Sequence, residues 1–93
     1  MDNNTPMKSL PEFPTELDIY LNSLLDLLRT KYYNVIVNRG SERFYFFYST
    51  KEISTSITSN IYLVPRKFTI PTTELLEHFE SKQTPPQIKE LLK

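Results

Sequence analysis

His78 is the one side chain in these 93 residues that titrates near neutral pH unaided, so acid–base catalysis would have to start there. It stands alone. There is no second histidine and no cysteine to complete a metal-ligand set or to supply a thiol nucleophile. The closely spaced carboxylates, Glu16 with Asp18 and Glu74 with Glu77, fall where helices begin, and there the helix dipole already accounts for anions. A phosphate cradle needs several glycines so that backbone can approach the anion, and the chain has only Gly40. No Ser, His and Asp set converges. His78 therefore reads as a solvated helix residue, and the expectation is a protein that is not an enzyme and uses no metal, cofactor or small-molecule substrate.

The residues able to do something else are aromatic. In Arg43-Phe44-Tyr45-Phe46-Phe47-Tyr48 a strand would send Phe44, Phe46 and Tyr48 to one face and Tyr45 and Phe47 to the other. Helices of a small domain cover one face of its sheet, which leaves the second aromatic face for a partner. The segment 29–67 has a net charge of +5 and holds most of the aromatics, against −4 for residues 1–28 and −1 for residues 68–93. Two uses follow. One is a protein-interaction module, adaptor or complex subunit, with Ile36, Arg39, Arg43, Tyr45, Phe47 and Tyr62 contacting a protein partner or a second copy as a homodimer. The other is RNA or single-stranded nucleic-acid binding, with Tyr45 and Phe47 stacking on bases and Arg39, Arg43, Lys51, Arg66 and Lys67 holding phosphates. The strand differs from that of an RNA-recognition motif, which sets glycines between its aromatics. The helix–strands–helix order of double-stranded-RNA-binding domains is not matched by a lysine cluster, since the corresponding helix opens Pro71-Thr72-Thr73-Glu74.

These residues need a scaffold, and its elements can be read. Residues 1–12 are polar, carry Pro6 and Pro11, and read as a flexible arm before one domain over 13–93. Leu17, Leu21, Leu24, Leu25 and Leu28 recur at helical spacing, widened by Ile19, Tyr20 and Leu27, with Thr15 as N-cap. A hairpin follows. A loop over 39–42 around Gly40 would pair Val37 with Phe44, Val35 with Phe46 and Tyr33 with Tyr48 on the core face. On the other face it would pair Ile36 with Tyr45 and Asn34 with Phe47. The hydroxyl-rich stretch 49–59, a candidate phosphorylation site, contains Ile53, Thr55 and Ile57 and reads as a third, edge strand over 52–58 open to strand addition. Ile61–Val64 reads as a fourth strand limited by Pro65, with 66–70 continuing extended.

Two helices close the chain. One starts at Pro71-Thr72-Thr73-Glu74 with threonine capping and carries Leu75, Leu76 and Phe79. The other starts at the capping-box signal Thr84-Pro85-Pro86-Gln87 and carries Ile88, Leu91 and Leu92. The expected fold is thus α+β: a helix, an antiparallel sheet of three to four strands, and two short helices. Met1-Asp2-Asn3-Asn4 does not open a signal peptide and no apolar run has the length of a membrane span, so the expectation is an intracellular protein without membrane contact.

Overall fold

The computed structural model describes residues 15–54 and 60–93. The order is α1 (Thr15–Arg29), β1 (Tyr33–Arg39), β2 (Arg43–Ile53), β3 (Ile61–Pro71), α2 (Thr72–Glu80) and α3 (Pro86–Leu92). The three strands form one antiparallel sheet in the order β1-β2-β3, so the fold is α+β. Leu17, Leu21, Leu24, Leu25 and Leu28 of α1 are buried, as their spacing requires. They meet Val35, Phe44, Phe46 and Ile70 from one sheet face, with Leu75 and Ile88 from the last two helices. Phe46 stacks on Phe68 with ring centroids 4.9 Å apart and planes 2° from parallel. All three helices contribute to this one core, and the sheet has an inner, helix-covered face and an outer one.

The backbone bonds give each strand position a direction. In an antiparallel pair, only every second residue exchanges hydrogen bonds with its opposite number. The Ser54 N–H donates to the Asn60 carbonyl (2.7 Å) and the Thr72 N–H to the Glu42 carbonyl (2.9 Å) at the two ends of the β2–β3 pairing. Even-numbered β2 residues therefore bond toward β3, and odd-numbered ones turn their backbone groups toward β1. The Gly40 N–H donating to the Arg43 carbonyl (2.9 Å) agrees with this. On β3, the odd residues point out of the sheet edge, and Pro65 and Pro71 both occupy such positions, where no ladder donor is needed. That is why Pro65 does not end a strand. The expected fourth strand, 61–64, and the extended run after it are one strand, β3.

Several expectations are corrected. The β1–β2 register pairs Ile36 with Phe47, Val37 with Phe46, Asn38 with Tyr45 and Arg39 with Phe44. The connection is a two-residue turn at Ser41-Glu42, two positions away from the expected register; the shift is even, so every residue beyond the bulge kept its face. Tyr33 did not. Asn34 sits at φ 54° and the register slips between Tyr33 and Ile36, which brings Tyr33 opposite Ser49 on the outer face instead of opposite Tyr48. Such a bulge adds one residue and reverses the side-chain direction beyond it. Glu52 and Ile53, expected to open a separate edge strand over 52–58, instead end β2, which is central over residues 43–49; residues 55–58 of that expected strand lie outside the described ones, as does the arm 1–12.

The helix ends differ too. The caps of α2 and α3 are Pro71 and Pro85, with no side-chain cap bond. Thr72 Oγ1 is buried without a hydrogen-bond partner among the described residues, and Gln87 Nε2 donates to Glu74 Oε2 (3.1 Å) rather than closing a capping box. The Thr15 side chain lies outside the described set. Ile19 and Leu27 do not widen the buried stripe of α1. They are exposed and line a groove of about 330 Å³ beside Tyr20 and Phe79.

Candidate functional site

The outer sheet face carries no described helix. Three rows of residues cross it, each running over β1, β2 and β3: Asn38–Tyr45–Thr69, Ile36–Phe47–Lys67 and Tyr33–Ser49–Pro65. Tyr45, Ile36 and Tyr33 are exposed, Phe47 is half-buried, and small Ser49 is buried between its taller neighbours. Phe47, Pro65, Arg66 and Lys67 line a concavity of about 320 Å³. Gly40 explains how Tyr45 is held. A Cβ at position 40 would lie 2.7 Å from Tyr45 Cε1 and 3.0 Å from the Arg43 carbonyl oxygen, so glycine lets the ring lie against the turn.

Beyond the row of Ser49, β1 stops and β2 and β3 continue as a two-stranded ribbon. Its outer side carries Lys51, Ile53, Ile61 and Leu63, all exposed. The Lys51 ammonium lies 5.7 Å from the centre of the Tyr33 ring, within cation–π range. On the opposite side of the ribbon, Arg66 Nη2 and Glu52 Oε2 are 3.4 Å apart and Thr50 Oγ1 donates to the same carboxylate (3.2 Å). The strand positions of the outer face thus hold three cations, Arg43, Lys51 and Lys67, and no carboxylate; Glu52 is the only strand carboxylate and faces the other way.

Of the residues expected to bind a partner, the fold brings Ile36, Arg43, Tyr45 and Phe47 together on the outer face. It sets Arg39, opposite Phe44, and Tyr62, opposite Glu52, on the other face. Of the nucleic-acid set, Tyr45, Phe47, Arg43, Lys51 and Lys67 share the outer face, while Arg39 and Arg66 do not. Alternation along β2 and β3 alone would have sorted Lys51 from Arg66. Tyr33 was missed because a bulge is invisible to simple alternation, although asparagine, which tolerates left-handed backbone, was a signal at position 34. Pro65, read as a strand stop, was missed as part of the face.

His78 is half-buried, with its Nε2 3.9 Å from Glu74 Oε2, rather than fully solvated. Among the described residues, no three His, Asp or Glu side chains are grouped so as to hold a metal ion, and no helix is long and apolar enough to cross a membrane. Two phenols on the helix-covered side have raised pKa values. Burial raises that of Tyr20, whose hydroxyl donates to the Gln83 carbonyl (2.6 Å). Burial also raises that of Tyr48, with a further push from Tyr32 and a partial offset from Arg66. Compared with family models, curated proteins and solved structures, the chain matches none of them.

Proposed function

We propose that this chain is a non-enzymatic protein-interaction module that docks a protein partner on the outer face of its sheet. One observation carries the reading. Six of the nine large apolar side chains that stand exposed among the described residues lie on this face: Tyr33, Ile36, Tyr45, Ile53, Ile61 and Leu63. Along β2, the step from Tyr45 to Ile53 alone spans about 27 Å at roughly 3.4 Å per residue. Exposed apolar side chains gathered on one face, with cations among them, mark an interaction site. Four of the six are aliphatic. Aliphatic side chains fill pockets in a protein partner but offer no ring on which a base can stack, and this favours protein over nucleic acid.

A second reading has its own support. Tyr45 is flanked across the strands by the small polar residues Asn38 and Thr69, and Arg43, Lys51 and Lys67 share its face, which suits stacking with phosphate contacts. The test separates the two. The Tyr45→Ala/Phe47→Ala double variant is to be compared with the unaltered chain for folding and for recovery of protein partners. Both are then titrated with labelled single-stranded RNA at two salt concentrations. A folded variant that no longer recovers the partners, together with absent or salt-independent RNA binding, supports the protein reading. RNA binding that weakens steeply with salt and is lost in the variant replaces it with the second.

A further inference from the structure

The sheet has three edges, and two carry features that interrupt an added strand. On the outer edge of β3, Pro65 and Pro71 occupy outward positions and supply no donor there. On the outer edge of β1, the Val35 carbonyl points outward and already accepts a hydrogen bond from Arg29 Nη2 (2.9 Å). The third edge is the notch where β1 ends. Past the Tyr33–Ser49 pair, β2 runs on through Thr50–Ile53 with β3 on one side only. The bond alternation aims the N–H and C=O groups of Lys51 and Ile53 into this notch. Among the described residues no strand pairs with them, and both are exposed.

We infer that the notch beside Lys51 and Ile53 receives an extended segment of the partner as an added strand, end-on to β1, with acidic side chains on the segment's outer face. This rests on the proposed docking face and names how the partner engages it. Strand addition draws affinity from main-chain bonds and specificity from alternate side chains. The added strand's outward side chains lie beside Tyr33, Lys51 and Ile53, on a face whose strand positions carry only positive charges, so alternating carboxylates complement it. A second copy is a poor occupant. The antiparallel register that uses the groups of both residues sets Lys51 of one copy opposite Ile53 of the other and hence Glu52 opposite Glu52, and like charges directly opposed destabilise a pair.

The test uses the full chain, isotope-labelled, and a short synthetic peptide alternating glutamate with isoleucine and tyrosine. Its control is the same peptide N-methylated on alternate residues along its bonding edge. The peptide is expected to slow hydrogen exchange at the Lys51 and Ile53 amides at least tenfold. The Thr50 and Glu52 amides, already bonded to β3, remain unchanged, and the methylated peptide has no effect. Ile53→Pro removes one notch donor at a position that, like Pro65, gives none to its β2–β3 partner. It is expected to weaken binding at least tenfold while the chain still melts cooperatively. Binding that is lost in Tyr45→Ala but unaffected in Ile53→Pro, with no added protection at 51 and 53, overturns strand addition and leaves the docking face standing. Absence of peptide binding while the face still recovers its partner also overturns it. Protection at 51 and 53 that grows with protein concentration in the absence of peptide assigns the notch to a second copy instead.

Discussion

Phe46 and Tyr45 are neighbours in the chain and opposites in the fold, so truncating each in turn measures how differently the two sheet faces are loaded. Phe46 has no exposed surface and stacks on Phe68 at 4.9 Å. Removing a fully buried phenylalanine costs roughly 3–5 kcal/mol, the transfer loss plus the cavity left behind. Against a total of about 5–14 kcal/mol for a chain of this length, that is a large fraction, and Phe46→Ala is expected to lower the melting temperature by more than about 12 °C. Tyr45 is 36% exposed and its fixed contact is the turn at Gly40. Tyr45→Ala is expected to cost about 1 kcal/mol, in the usual range for a partly exposed site, and to shift the melting temperature by roughly 4–8 °C. Urea unfolding of the isolated chain, followed by circular dichroism with the slope checked for constancy, measures both. Losses of equal size at 45 and 46 would refute the assignment of an uncovered outer face, because a ring beneath other structure leaves a cavity as Phe46 does.

Three further outcomes follow from local geometry. Gly40→Ala is expected to destabilise by about 1–2 kcal/mol, as overpacking does, and the loss shrinks in the Tyr45→Ala background, since the ring is one of the two groups the new methyl meets; a double-mutant cycle on urea midpoints reads the coupling. Lys82→Gly is expected to stabilise by roughly 1 kcal/mol in the same assay. Lys82 holds a left-handed φ of 58° at the end of α2, where the Gln83 N–H donates to the His78 carbonyl in the closing turn that glycine favours. The raised phenol of Tyr20 gives a pH signature. A group whose pKa is higher folded than unfolded contributes fully below the unfolded value and loses that contribution as pH rises through the folded one. Stability should therefore fall above about pH 10, and less steeply in Tyr20→Phe, measured by urea midpoints between pH 8 and about 11.

What could be read without coordinates was what repeats. The leucines of α1 announce their stripe because a helix brings every third or fourth residue back to one side. The core face of β2 announces itself because side chains alternate, and an error of two in register leaves that alternation untouched. What could not be read was what interrupts a period. The bulge at Asn34 moved Tyr33 to the other face without changing its neighbours in sequence. Pro65 looks like a strand stop until the bonding direction of its position is known. Threonine and glutamine near the last two helix starts carry capping chemistry, yet proline occupies both caps and Gln87 reaches Glu74 instead. Of the candidate site, the β2 aromatics with Ile36 and Arg43 were legible. Arg39 and Tyr62 were grouped with them by composition, which does not distinguish the faces.

A protein partner seated on the outer face, and not on the helical layer, lies within reach of position 45. A photo-cross-linking side chain placed at position 45 in one full-length protein, and at exposed Glu80 of α2 in another, tests this placement most directly when both are irradiated in the cells that naturally make the chain. A discrete protein adduct is expected from position 45 and is missing from position 80. The adduct disappears when Ile36 and Phe47 are replaced by alanine in a chain that still melts cooperatively. The same adducts from both positions, or a nucleic-acid adduct from position 45, would contradict this placement.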